Sequence, residues 1–185
     1  LKDNHRTELS TDGMKKIIDH MHYLGVRFVA FMGGEPTIRK DFIELLTYTS
    51  RKKMMTHMST NGTRLKRDYI EKLGRAGIDI INVSVDSLFE YGTSHKDRAP
   101  SKQELNDLLE LRDRHHYEIN VNIVLTRRNR DVVVTTLKYL NQFKIPVSIG
   151  IINGNTYDAT EMDSSLYFNT PQERRRAYQT LDEII

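Results

Sequence analysis

The sequence comprises 185 residues, 38% of them hydrophobic and 29% charged, which fits a water-soluble domain large enough to bury a core. A net charge of +3, with scattered basic residues and no aromatic residues between them, argues against nucleic-acid binding. No apolar run approaches the roughly 20 residues of a membrane span and no targeting signal is visible, so we expect a cytoplasmic protein without a membrane partner. Without cysteine, these residues form no disulfide bond and supply no thiolate to a metal.

The first predicted elements are a helix and a strand. Apolar residues recur at helical spacing over residues 14–24, Ser10 or Thr11 can cap this helix, and Gly25 ends it. The apolar run at positions 28–32 then predicts a strand with both faces buried.

Helices and strands continue to alternate along the rest of the chain. Ser101 and Glu104 form a capping box, and a second one, Thr170 with Glu173, opens a helix near the end. Residues 153–169 show no clear element. Further helices are predicted over residues 41–53, 65–76 and 129–143, and further strands over residues 54–59, 78–85, 119–125 and 145–152.

This alternation predicts an α/β protein with a parallel sheet and right-handed crossovers, either a barrel or a doubly wound sheet. We expect residues 1–185 to form a single domain, since no linker interrupts them. A helix before the first strand suggests that a preceding strand lies outside the chain. We therefore interpret the sequence as a piece of a larger barrel.

The carboxyl ends of parallel strands meet at one edge, where α/β proteins place their sites. Gly33-Gly34-Glu35-Pro36 ends the first strand, and its glycines let the backbone turn tightly or approach a ligand. A simple turn with a solvated Glu35 is the alternative. The other candidate site residues at this edge are Thr60, Asn61, Ser84, Asp86 and Asn122.

Each of these residues also has a purely structural interpretation. Asn61 precedes a glycine, and Asn-Gly pairs are common in turns. Ser84 and Asp86 can cap the turn that follows their strand, and Asn122 can be a hydrogen-bonded polar residue of the core. Four such strand ends together favour a site.

Four segments, in this order, carry a resemblance to a known family. They lie at residues 25–42, which contain Gly-Gly-Glu-Pro, and at residues 59–63, with Ser-Thr-Asn-Gly-Thr. The other two are residues 77–88, containing Asn-Val-Ser-Val-Asp-Ser-Leu, and residues 121–129, containing Val-Asn-Ile-Val-Leu-Thr. Together they resemble the core of radical S-adenosylmethionine (radical SAM) enzymes, and the resemblance covers about residues 9–150.

The resemblance implies a partial TIM-type (β/α)6 barrel that binds S-adenosylmethionine. It also implies a [4Fe-4S] cluster, reduced by a donor such as flavodoxin or ferredoxin, that cleaves S-adenosylmethionine to a 5′-deoxyadenosyl radical acting on a small molecule or a peptide. By the same resemblance, the backbone oxygens of residues 33–35 receive the methionine ammonium and Ser84 contacts the cofactor. Arg98 is the candidate arginine that shares the methionine carboxylate with Ser84, and Thr60, Asn61, Asp86 and Asn122 match pocket positions.

The sequence departs from the family in two ways. The Cys-x3-Cys-x2-Cys loop that holds the cluster is absent, so we expect it upstream of Leu1. The third segment is most similar to GTP-cyclising members, but Ala30 and Asn120 stand where those enzymes carry an arginine and a lysine. GTP is therefore not the expected substrate.

Two other functions remain open at this point. One is a cluster-free barrel enzyme using Glu35 and Asp86 as the acids at the edge of the sheet, although no lysine stands at a strand end. The other is a non-catalytic relative that keeps the barrel for binding or as a scaffold.

Overall fold

The structure is a computed structural model that describes residues 8–85, 88, 100–151, 168 and 170–182. The helices are α1 (Thr11–Tyr23), α2 (Phe42–Arg51), α3 (Arg67–Arg75), α4 (Lys102–His115), α5 (Arg130–Asn141) and α6 (Pro171–Asp182), with a short 3-10 helix at Pro36–Ile38. The strands are β1 (Phe28–Phe31), β2 (Met55–Thr60), β3 (Ile80–Ser84), β4 (Glu118–Leu125) and β5 (Val147–Ile151). The alternation predicted from the sequence is confirmed.

The helix boundaries follow the predicted capping residues. Ser10 caps α1 by accepting a hydrogen bond from the amide of Gly13. Ser101 and Glu104 form the predicted capping box at α4. Thr170 and Glu173 exchange the corresponding pair of hydrogen bonds at the start of α6. These side chains satisfy amides that a helix leaves unpaired at its first turn.

The sheet has five parallel strands in the order β1-β2-β3-β4-β5. Each strand lies beside its successor, so no point exists in the described sheet where the strand order reverses. With right-handed crossovers, this order places the connecting helices on one side of the sheet. The architecture is therefore the barrel type rather than the doubly wound one.

The two faces of the sheet differ in chemistry. Residues on the helix side are buried and mostly apolar, with Thr56 and Thr60 as buried polar residues of β2. The apolar ones pack against the inner faces of α2 to α5 and include Met58, Ile81, Val83, Val121, Ile123 and Leu125. The alternate residues are half-buried or exposed and mostly polar; they include His57, Ser59, Asn82, Ser84, Asn120, Asn122 and Ser148. We call this second side the open face.

The prediction that β1 is buried on both faces is wrong. Val29 lies in the core, but Phe28 is 48% exposed and Met32, just after the strand, is 68% exposed. Ala30 is also exposed. The reason is the strand order, because none of the crossover helices covers the open face.

The pairing of α3 with α4 fixes one side of the helix layer. Gly74 lies so close to His115 that an added Cβ would come within 2.3 Å of the ring. Arg67 links the same helices by ion pairs with Asp107 and Glu110. In the part of the chain that the structure describes, no helix has the length and apolar composition of a membrane span.

Candidate functional site

The turn after β1 is open at its two glycines. Gly33 has a φ of +139°, a conformation that favours glycine. A Cβ placed on either Gly33 or Gly34 would meet no atom within 4 Å. The backbone of this turn is therefore accessible to a ligand at the carboxyl edge of the sheet.

Glu35 fixes this turn to the end of β2. Its Oε1 accepts hydrogen bonds from the hydroxyls of Thr37 and Thr60 at 2.7 and 2.8 Å and from the Thr37 amide at 3.2 Å. Its Oε2 accepts from the amide of Asn61 at 2.7 Å. Both carboxylate oxygens are thus used, and Thr37 and Thr60 are buried. The alternative of a solvated Glu35 is wrong.

The surroundings of Glu35 extend to two further side chains. Burial raises the pKa of Tyr69 to about 12, with Arg64 opposing the rise and the negative charge of Glu35 adding to it. Arg64 also reaches the carbonyl oxygen of Thr37 at 3.5 Å. Tyr69 therefore holds its phenolic proton more tightly than a solvated tyrosine does.

The residues after β2 have a structural role as well as their place at the edge. Asn61 Oδ1 accepts a hydrogen bond from the amide of Thr63, which forms a turn closed by the side chain. Gly62 has a φ of +78°, and an added Cβ would approach Pro100 to 3.0 Å. The Asn-Gly pair therefore forms a turn, as its structural interpretation predicts, and the amide of Asn61 also binds Glu35.

Ser84 and Asn122 lie side by side on the open face. They are paired in register between β3 and β4, and Asn122 in turn pairs with Ser148 of β5. Thr60 pairs with Val83 and is buried on the helix side, one register position before Ser84. The sequence-predicted residues Thr60, Asn61, Ser84 and Asn122 therefore share one edge of three neighbouring strands.

A second polar row lies one step further from the edge. Ser59, Asn82 and Asn120 are paired in register across β2, β3 and β4. Asn82 Nδ2 donates to Ser59 Oγ at 3.4 Å. This row was missed as a group by the sequence analysis, although the alternation of polar and apolar residues along each strand carries the signal.

His57 lies below these rows on the same face. It pairs with Ala30 and Ile80, and its ring lies 5.9 Å from that of Phe28. Its Nδ1 is buried and has no hydrogen-bond partner among the described residues. Burial lowers the pKa of His57 below 6.5, so the imidazole is neutral at pH 7.

Two predicted site residues cannot be placed. Asp86 and Arg98 lie outside the residues that the structure describes, so the predicted arginine contact with the methionine carboxylate stays a prediction. Within the described ranges, no group of three or more histidine, aspartate or glutamate side chains is arranged to hold a metal ion.

A sequence model of the Radical SAM superfamily matches residues 2–166. The chain belongs to the radical SAM superfamily. Members of this superfamily use S-adenosylmethionine and a [4Fe-4S] cluster. Membership confirms the resemblance noted in the sequence.

Curated relatives match parts of the chain. Fe-coproporphyrin III synthase of Methanosarcina barkeri is 42% identical over 45% of this chain and 21% of its own. PqqA peptide cyclase of Bradyrhizobium diazoefficiens is 29% identical over 69% of this chain and 34% of its own. The probable GTP 3′,8-cyclase of Thermococcus kodakarensis is 36% identical over 45% of this chain and 27% of its own. The chain thus spans about a third or less of the length of these relatives.

Solved structures share the fold. Streptococcus suis SuiB bound to the precursor peptide SuiA has a TM-score of 0.69 at 20% identity, over 97% of this chain and 40% of that one. Native anSMEcpe with bound AdoMet has a TM-score of 0.69 at 17% identity, over 99% of this chain and 53% of that one. These likenesses confirm the partial TIM-type barrel.

The described residues suit one of the two cofactors. The open Gly33-Gly34 backbone and the polar edge beside it offer hydrogen-bonding groups without side chains in the way, as a charged amino-acid moiety of S-adenosylmethionine requires. The cluster does not fit these residues, because its ligands are thiolates and the sequence contains no cysteine.

Proposed function

We propose that the full-length protein is a radical SAM enzyme that binds S-adenosylmethionine at the carboxyl edge of this sheet. The observation that carries the proposal is the open Gly33-Gly34 turn held in place by the carboxylate of Glu35. The cofactor would supply a 5′-deoxyadenosyl radical, generated with a [4Fe-4S] cluster whose ligands lie outside these 185 residues.

Each residue of the site has a proposed task. The carbonyl groups of residues 33–35 receive the ammonium group of the methionine moiety. Ser84 and Asn122 lie where they can hydrogen-bond the remainder of the cofactor, since they occupy neighbouring strands on the open face. The side-chain carboxylate of Glu35 acts through the turn and not on the ligand, because both carboxylate oxygens already accept hydrogen bonds from the protein.

The substrate is proposed to be a peptide or a small molecule without a triphosphate group. Ala30 and Asn120 both lie on the open face, at the positions where GTP-cyclising members carry cationic side chains. The other described residues of this face on β1 to β5 include no lysine or arginine. SuiB bound to its precursor peptide supports a peptide, while the relative Fe-coproporphyrin III synthase supports a small molecule without a triphosphate group.

The proposal is tested on the full-length protein, purified and reconstituted without oxygen. We expect iron–sulfur absorbance, and 5′-deoxyadenosine released from S-adenosylmethionine after reduction with dithionite. A fragment of these 185 residues alone is the control and should show no iron–sulfur absorbance. A full-length sequence without a Cys-x3-Cys-x2-Cys segment, together with no absorbance, would favour the non-catalytic scaffold.

A further inference from the structure

Arg39 and Asp41 join the chain that enters α1 to the segment that follows the glycine turn. Arg39 Nη2 donates to the carbonyl oxygen of Leu9 and to Asp41 Oδ2, both at 2.9 Å. Thr11 Oγ1 donates to the same Asp41 oxygen at 2.6 Å. Arg39 Nε lies 2.7 Å from Asp41 Oδ1 as an ion-pair contact without an aligned hydrogen bond. We call these four residues the bracket.

The bracket is more than an exposed ion pair. The side chains of Arg39 and Asp41 are only 23% and 19% exposed. Asp41 stands at the N-cap position of α2, yet its side chain makes no capping hydrogen bond there. Its carboxylate is committed to Arg39 and Thr11 instead, and these two partners hold the pKa of Asp41 below its ordinary value.

The bracket and Glu35 hold the two ends of one short segment. Glu35 is tied to β2 by its carboxylate, and Pro36 begins a single 3-10 turn that ends at Ile38. The amide of Arg39 then donates to the carbonyl oxygen of Pro36 at 3.1 Å. Since this connection is only a few residues long and hydrogen-bonded throughout, a displacement of residues 8–11 would be passed to the turn.

We propose that Arg39 is a positioning residue for S-adenosylmethionine binding, which couples residues 8–11 to the turn at residues 33–36 through Asp41. The inference rests on the proposed function, because the turn is the proposed binding site. It adds that the strength of cofactor binding depends on a contact outside the pocket. The chain entering α1 and the bound cofactor then stabilise each other, as reciprocal linkage requires.

Arg67 provides a matched control on another face. It also bridges separate elements, with Nη1 at 3.0 Å from Asp107 and a second contact to Glu110. These contacts join α3 to α4 and do not involve residues 8–11 or the turn. Arg67→Gln therefore removes a comparable ion pair and the same charge as Arg39→Gln.

The experiment measures the dissociation constant of S-adenosylmethionine in the reconstituted full-length protein, together with amide hydrogen exchange with and without the cofactor. We expect Arg39→Gln to raise this constant about fivefold or more and Thr11→Val, a milder change, to raise it less. In the wild type the cofactor should slow exchange at residues 8–11. This protection should be lost in Arg39→Gln and kept in Arg67→Gln.

The possible results separate the two claims. If the wild type fails to bind S-adenosylmethionine, the proposed function and this inference both fail. If the wild type binds and both Arg39→Gln and Thr11→Val bind equally well, the inference alone is overturned. An equal loss of affinity in Arg39→Gln and Arg67→Gln would also overturn it, since it would reflect general loss of stability.

Discussion

The carboxylate of Glu35 ties the glycine turn to the end of β2. It gathers two hydroxyls and two amides from residues that the sequence separates by up to 26 positions. Leaving a buried acceptor without its donors costs free energy, and leaving the buried donors without their acceptor costs free energy as well. The turn and the end of β2 should therefore loosen together when this carboxylate is changed.

We predict that Glu35→Gln lowers the free energy of unfolding by about 1–3 kcal/mol, because the amide group places a donor against a donor. Urea unfolding of the full-length protein measures this change. Glu44→Gln is the matched control, since Glu44 is 57% exposed and pairs with Lys15 on the surface. Equal stability of Glu35→Gln and Glu44→Gln would show that Glu35 does not hold the turn.

His57 gives a prediction about pH. Burial lowers its pKa in the folded protein, while in the unfolded chain the imidazole takes up a proton near pH 6.5. The unfolded state thus binds more protons below about pH 6.5, and the free energy of unfolding should fall as the pH is lowered. His57→Gln should reduce this slope between pH 7.5 and 5.5. The control variant is His20→Gln, since His20 is exposed. Equal slopes in the two variants would show that His57 is not the source of this pH dependence.

At the scale of elements, the contact between α3 and α4 depends on a missing side chain. Gly74 leaves room for the ring of His115, which an added Cβ would approach to 2.3 Å. We predict that Gly74→Ala destabilises the protein by about 1–3 kcal/mol, despite the better helix propensity of alanine.

Gly13 of α1 is the control for this prediction. A Cβ there meets its nearest atom, Ser10 Oγ, at 3.4 Å, which is ordinary van der Waals contact. Gly13→Ala should therefore leave stability unchanged or raise it by up to about 1 kcal/mol. Chemical denaturation of both variants measures the difference, and a Gly74→Ala variant as stable as Gly13→Ala would contradict the close packing.

The elements were predictable from the sequence because their signals are local. Helical spacing, capping residues such as Ser101 and turn glycines such as Gly25 mark their boundaries. The burial of β1 was not predictable, since an apolar run does not reveal whether a second layer of structure covers the strand. That depends on the strand order, which only the sheet itself defines.

The site was predictable in part. The edge residues Thr60, Asn61, Ser84 and Asn122 follow from strand ends alone. The hydrogen bonds from Thr60 and Asn61 to Glu35 could not be predicted in this way, because they join residues far apart in sequence. The contact of Arg39 with the carbonyl oxygen of Leu9 leaves no trace in the sequence, since any residue offers a carbonyl group.

At the scale of the whole molecule, the sheet presents two faces with separate tasks. The helix side is mostly apolar and forms the hydrophobic core. The open face carries serine, asparagine and histidine and meets the glycine turn at its carboxyl edge. The central claim is that this edge binds S-adenosylmethionine through the backbone of the turn.

Calorimetric titration of S-adenosylmethionine into the reconstituted full-length protein, wild type against Gly34→Val, tests this claim most directly. Gly34 is suited to the test because an added Cβ meets no atom within 4 Å and Gly33, not Gly34, has the positive φ. The account predicts an unchanged melting temperature and loss of binding in Gly34→Val, since the side chain would fill the space above the turn. Equal affinity of the two proteins for S-adenosylmethionine would contradict it.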